Sequence, residues 1–168
     1  MPLRAAPSIP RFDAVTQWVV FALDDGRYAL PLATALRVVR AAEITPLPAA
    51  PPIVLGALNV AGQVLPVFDI RQRLGLPQRP IGPADHFLIA RTEERTVVLT
   101  IDAALGVLDH SGIAVVDADR ITPDLAHIRG VLVLEDGLVL IHDLERFLSL
   151  AESLELDAAM HAEAQRAG

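Results

Sequence analysis

Histidine and aspartate are the residues whose placement could support catalysis. Three of the five histidines stand beside an aspartate, as Asp85-His86, Asp109-His110 and His142-Asp143. An acid–base dyad needs imidazole and carboxylate to face each other, whereas neighbours along a strand point to opposite faces. These histidines are therefore read as surface or core residues. His142 is read as a packing position, because it aligns with Phe68 in an internal repeat described below. No two histidines are four residues apart and no H-E-x-x-H occurs, so the spacing offers no hydrolytic metal site. Asp69 and Asp143 hold equivalent repeat positions. Each is expected to cap a short helix after its strand rather than to form a carboxylate pair. G-x-S-x-G, P-loop and G-x-G-x-x-G patterns are missing, as is cysteine, which removes disulfides, thiolate ligands and a thiol nucleophile. The expectation is a binding protein, not an enzyme, with no metal and no cofactor.

Composition narrows the partners. The 168 residues carry a net charge of −7, and all fourteen basic residues are arginine. Phosphate neutralisation needs a concentrated basic surface, and the densest stretch here, Arg71, Arg73 and Arg79, reads as a solvated face, so no nucleic-acid partner is expected. Hydrophobic residues make up 52% of the chain, enough for a packed core. The opening MPLRAAPSIPRFD has no apolar run of signal-peptide length, and later runs are interrupted too soon to span a bilayer. A cytoplasmic protein with no direct membrane insertion is expected.

The elements that would position any site are mostly strands. Residues 1–15 read as a flexible arm. Gln17 to Leu23 and Arg27 to Leu32 form a hairpin across Asp24-Asp25-Gly26, with positive φ expected at the glycine. Ala33 to Val39 favours a short helix, and Ile44 to Pro52, with four prolines, an extended connector. Val54 to Val60 and Val64 to Ile70 pair across Ala61-Gly62, with Pro66 arguing for an edge or bulge. A helical turn over Ile70 to Leu76 and a loop over 77–85 follow. Phe87 to Ala90 pairs with Thr96 to Ile101, and Asp102 is expected to cap a helix at Ala103, Ala104 and Leu105. Residues 114–126 are mixed, with a turn at Thr122-Pro123-Asp124. Ile128 to Leu134 and Leu138 to His142 make a last hairpin. Apolar spacing from Leu144 to Leu156 predicts a C-terminal helix that frays after Met160, leaving residues 151–168 as helix end and tail.

Two halves of the chain match. GALNVAGQVLPVFDIRQRL (Gly56 to Leu74) lies over GVLVLEDGLVLIHDLERFL (Gly130 to Leu148) without a gap, at an offset of 74. Upstream, Leu30, Leu32, Leu36, Val38 and Val39 meet Leu99, Ile101, Leu105, Val107 and Leu108 at an offset of 69. A half of about 70 residues is a thin core alone, so two packed halves are expected. Short strands between turn signals suggest small barrels.

Three segments together resemble the CheW coupling proteins of bacterial chemosensory arrays: VVFALDDGRYALPLATALRVVR (Val19 to Arg40), ITPLPAAPPIVLGALNVAGQVLPVFDIRQRLG (Ile44 to Gly75) and GVLVLEDGLVLIHDLERFL. The second matches the family's pattern of a Pro-rich connector, an Asn-x-Arg-Gly turn (here Asn59-Val60-Ala61-Gly62) and a Pro-Val-x-Asp-Leu-Arg run (here Pro66-Val67-Phe68-Asp69-Ile70-Arg71). The resemblance implies a mostly β fold over residues 16–150, of two SH3-like five-stranded barrel lobes with short helices and a C-terminal helix. It implies a non-catalytic scaffold that links the cytoplasmic tips of chemoreceptors to the regulatory domain of a CheA-type histidine kinase, recruited to membrane-associated arrays. Matching fold positions are Tyr28, Asn59, Pro66 and Asp69. Partner contacts are expected at Ala35, Arg37, Val38, Gly56, Ala61 and Gly62, with Phe87 at a groove between the lobes. Two positions depart from the family: Ala61 stands where arginine is usual, and Arg37 where an acidic residue is common. Both alter electrostatic complementarity, which governs specificity. The alternative is a divergent module that localises or regulates another machine, such as pilus motility, without binding the kinase.

Overall fold

A computed structural model describes residues 17–109, 114–117 and 127–167; the arm expected over residues 1–15 and the turn at Thr122-Pro123-Asp124 lie outside them. The strands are β1 Gln17–Leu23, β2 Gly26–Pro31, β3 Ala35–Arg40, β4 Val54–Val60, β5 Gln63–Phe68, β6 His86–Arg91, β7 Thr96–Ile101, β8 Ala103–Asp109, β9 Ala114–Asp117, β10 Ile128–Leu134 and β11 Gly137–His142. Among the described residues two α-helices accompany them, α1 Ile70–Leu74 and α2 Leu150–Ala167.

The strands form two sheets, ordered β3-β6-β7-β5-β4 and β8-β1-β2-β11-β10-β9. Among the described residues one lobe thus has the five strands expected and the other has six. Neither lobe is one half of the sequence. The first repeat gives its hairpin β1–β2 to the lobe of the second, and receives β6–β7 in return. The exchange is sealed by two short parallel pairings, Val67↔Val98 with Phe68↔Leu99, and Leu140↔Tyr28 with Ile141↔Ala29.

The duplication is visible in registers and irregularities. Offset by 69, the β3–β6 pair Ala35↔Ala90 becomes the β8–β1 pair Ala104↔Phe21, and both ladders slip at the next residue, Leu36 or Leu105. Offset by 74, the bulge between Val54 and Gly56 recurs between Ile128 and Gly130. Bulges bend a strand and strengthen its twist, which closes small barrels. The barrel interiors also correspond. Phe87, Ile89, Val98, Leu58, Leu65 and Val67 fill one; the equivalent Trp18, Val20, Ala29, Leu132, Val139 and Ile141 fill the other. A third, larger core lies between the lobes and includes Phe21, Leu30, Phe68, Leu88, Leu99 and Leu156.

Several sequence-based expectations are corrected. Beyond a 3-10 turn at Leu32–Thr34, Ala35–Arg40 is strand, not helix, and Ala103–Asp109 is strand as well. Each segment is too short to hold a helix alone, and each finds a free sheet edge for its backbone. In the first hairpin the positive φ falls on Asp24 (51°), while Gly26 is needed because a Cβ there would come within 2.9 Å of the Tyr28 ring. Pro66 lies on an interior strand. It is tolerated because its partner Ala57 turns both backbone groups to Thr45 instead, at 2.7 and 3.0 Å. The C-terminal helix starts at Leu150, not Leu144. Ser149 and Glu152 form a capping box, the Ser149 Oγ accepting from the Glu152 N–H at 3.1 Å and the Glu152 carboxylate from the Ser149 N–H at 2.9 Å. The helix then continues through Ala167 without ending at Met160.

His142 is a core residue, as its alignment with Phe68 implies. It is 1% exposed, with both ring nitrogens unpartnered, and its ring centroid is 6.0 Å from that of Phe147, which packs edge-on against Phe68 at 4.8 Å. Burial, with a smaller contribution from His127, lowers its pKa from 6.5 to about 3. A folded pKa below the unfolded value means the unfolded chain takes up the proton first. Stability is therefore lost as pH falls from 6.5 toward 3, by about 2 kcal/mol at pH 5. His142→Phe, the residue of the first repeat, should remove that loss, so that thermal unfolding at pH 5 moves up toward its pH 7 midpoint.

Candidate partner interface

Strands β3 and β8 are sheet edges, and both turn apolar side chains to solvent. Leu36 and its repeat mate Leu105 are each 52% exposed, because each is the residue pushed out by a bulge. Val38 and Val107 lie two residues on and are exposed too. Unpaired strand edges carrying apolar residues favour association with another chain. The two edges differ in charge: the exposed Arg37 of β3 is matched by Gly106 in β8. Ala35 beside it is half-buried.

The β4–β5 turn is the second exposed feature. Ala61 has φ 52° and Gly62 φ 86°, and the Gly62 N–H donates to the Asn59 side-chain oxygen at 2.9 Å. Such a turn fits the right-handed twist of a hairpin and presents Ala61 outward.

Two residues expected at the interface are buried. Phe87 is inaccessible inside the five-stranded barrel, because alternate residues of β6 face that interior. Gly56 is buried as well. A Cβ there would stand 2.3 Å from the Thr45 carbonyl oxygen, so the glycine is set by backbone packing. Tyr28 is buried and stacks on Phe21 at 6.0 Å. Burial raises its pKa, and Asp24 adds to the shift while Arg71 opposes it. Asp69 caps α1, its carboxylate accepting the Arg71 N–H at 3.1 Å. Asp143 caps nothing: no helix follows it, and one of its carboxylate oxygens is buried without a partner.

An ionic cluster that sequence reading missed holds these surfaces in place. Arg71, read as solvated, is buried and donates to Asp24 at 2.8 Å and Asp102 at 2.6 Å. Arg79 grips Asp85 with two bonds of 2.8 and 2.7 Å and reaches Asp102 at 2.5 Å. Asp102 also accepts the Asp24 N–H at 2.7 Å. The Arg79 pair holds the Asp85 carboxyl below its usual range. Burial works against the Asp102 carboxylate, but Arg71, the Asp24 N–H and Arg79 outweigh it and lower its pKa. Both guanidiniums are thus matched by carboxylates, which leaves a structural joint between the β1–β2 turn, α1, the 77–85 loop and the start of β8. The arginine triplet was the available signal, but nothing in its spacing named distant acidic partners. Among the described residues, no three or more His, Cys, Asp or Glu side chains converge as a metal site would require, and no helix is long and apolar enough to cross a membrane.

The model of the CheW-like domain matches residues 17–152, most of the chain. The chain belongs to the CheW-like domain family. It is 34% identical over 122 residues to the chemotaxis protein CheW of Rhizobium meliloti, covering 68% of this chain and 74% of that protein. Protein FrzA of Myxococcus xanthus is 31% identical over 91 residues, 54% of this chain and 57% of that protein. The crystal structure of the scaffolding protein TtCheW from Thermoanaerobacter tengcongensis superposes with a TM-score of 0.71 at 25% identity, over 82% of this chain and 94% of that one. The CheW-like match spans every described strand and ends three residues into α2.

The two glycines of this CheW-like turn region should respond differently to alanine. Gly56→Ala, with φ +155° and its Cβ against Thr45 and Ile44, should cost about 3 kcal/mol in urea unfolding. Gly62→Ala has open space at φ +86° and should cost only about 1 kcal/mol.

Proposed function

We propose that this chain is a non-catalytic, cytoplasmic adaptor that couples chemoreceptor tips to the regulatory domain of a CheA-type histidine kinase. The observation that carries the reading is the pair of equivalent apolar edges, Leu36 and Val38 on β3, Leu105 and Val107 on β8. A protein with two similar but differently charged edges can hold two different partners at once, which is what an adaptor must do. The CheW-like fold and the relatives named as chemotaxis proteins support the same reading. On it, Arg37, Val38, Ala35, Ala61 and Gly62 belong to the accessible contact surface, and Gly56 and Phe87 support that surface from beneath.

A second reading is favoured by Ala61 and Arg37. With a cation missing from the turn and another added to the β3 edge, the partner would be one of altered charge, in a machine other than the chemotaxis kinase.

Calorimetric titration with the regulatory domains of the CheA-type kinases from the same genome separates the two. The adaptor reading expects micromolar binding, weakened at least tenfold by Leu36→Asp or by Leu105→Asp, depending on which edge the kinase takes. Binding only after Ala61→Arg would favour the second reading. Binding by neither form would sink the kinase coupling.

A further inference from the structure

The strap of residues 77–85, between α1 and β6, is fastened by two arginines. Pro77, Pro80 and Pro83 have no N–H to give. Among the described residues, no backbone–backbone hydrogen bond joins residues 77–84 to another element. Arg71 donates to the Pro77 carbonyl at 3.2 Å. Arg79, its side chain 40% exposed, spans Asp85 and Asp102. Between strap and barrel lies a cavity of about 270 Å³, with Ile44, Leu55, Ile81 and Ile101 among its walls. The two carboxylates that Arg79 bridges stand at the roots of the two apolar edges. The Asp85 carbonyl accepts the N–H of Ala41, one residue past the end of β3, at 3.0 Å. Asp102 immediately precedes β8; its N–H donates to the Ala22 carbonyl at 2.9 Å and its carboxylate accepts the Asp24 N–H. This joint is not needed to build a lobe. At the offsets that align the repeats, Ala33 stands in place of Asp102 and Glu145 in place of Arg71, and the six-stranded lobe forms without such a pair.

We propose that Arg79 is a pin that couples the two apolar edges, so that a partner seated on β3 changes the affinity of β8 for its own partner. Coupling needs an element with two arrangements. The strap supplies it. Pinned, it ties the end of β3 to the start of β8 through one guanidinium and two carboxylates. Unpinned, it is a proline-rich segment over a cavity, and the two roots move independently. A fully satisfied ionic network suits this role, because it specifies position more sharply than apolar contact does. The coupling is reciprocal: whatever β3 does to β8, β8 does to β3 by the same factor. The identity of the partners rests on the adaptor reading. The coupling does not, since it is measured below without a partner, and the kinase titration can fail while this test succeeds.

The test reads amide hydrogen exchange by NMR in the full chain. Each rate is divided by that of Val98, wholly buried in the five-stranded lobe, to remove the effect of global unfolding. Asp102→Asn should speed exchange at the Ala41 amide, whose own acceptor is the Asp85 carbonyl, by about fivefold or more. In an Arg79→Gln background the same change should leave the Ala41 rate within about twofold, because the pin is already gone. Arg79→Gln alone should speed Ala41 and Asp24 together, with Arg79→Lys, which keeps the charge but not the two-pronged grip on Asp85, falling between. Should Asp102→Asn fail to fold, Arg79→Gln decides the matter, since it alters a partly exposed side chain. Equal acceleration of Ala41 by Asp102→Asn with and without Arg79 would make the two roots independent and overturn the proposal. So would an Arg79→Gln variant in which only the Gly82 and Asp85 amides exchange faster, which would reduce Arg79 to a local clip of the strap.

Discussion

Two parallel pairings of two residues each set the terms for everything else in this molecule. Val67 and Phe68 meet Val98 and Leu99; Leu140 and Ile141 meet Tyr28 and Ala29. Each seam joins a strand of one repeat to a hairpin of the other, so neither barrel can close on residues of its own half. The arrangement answers the size problem of a 70-residue half, whose core alone would be marginal. It places Phe21, Leu30, Phe68 and Leu99 in one interior between the lobes and makes the two barrels a single packed unit. The apolar edges β3 and β8 each pair only with the hairpin received from the other repeat, β3 with β6 and β8 with β1.

The two lobes share registers, bulges and six interior positions, yet their surroundings have diverged. Beside the first repeat, Asp69 caps α1 and Arg71 enters the buried ionic joint; after β11, Asp143 has no helix to cap. Phe68 packs edge-on against Phe147, whereas its equivalent His142 leaves two nitrogens unsatisfied in the same core. The buried Arg71 guanidinium is costly to desolvate, and the carboxylates of Asp24 and Asp102 offset that cost, with the more exposed Arg79 bridging Asp102 to Asp85. Such a joint fixes the relative positions of turns from both lobes more sharply than apolar contact would.

Much of this was legible in the sequence. The strands at 17–23, 54–60, 96–101 and 128–134 were given by their β-branched composition and flanking turns, and the offset of 74 gave the duplication. The family followed from the Pro-rich connector and the segment around Asn59, Gly62 and Asp69. What remained hidden was non-local. Ala33 to Val39 and Ala103 to Leu105 read as helix because Ala and Leu favour it, and only the open edges of β6 and β1 made strands of them. The hairpin exchange could not be read, since either connectivity yields the same pattern of turns. Gly56 and Phe87 were assigned to a surface by resemblance, and packing against Thr45 and the alternation of β6 placed them inside. The capping box at Ser149 and Glu152 was present in the sequence, and was obscured by apolar spacing that began at Leu144.

The exchanged hairpins also dictate an order of events during synthesis. The five-stranded lobe is complete once β7 has left the ribosome, because all its strands lie between residues 35 and 101. The hairpin β1–β2, made first, must wait for β11, about 110 residues later, before its inner edge is covered. At ordinary elongation rates of 5–20 residues per second that interval is roughly 5–20 s. Throughout it, Trp18, Val20 and Ala29 lack the strands that will enclose them. The earliest described strands are therefore among the last to be enclosed, and the nascent protein carries an adhesive hairpin until β11 emerges.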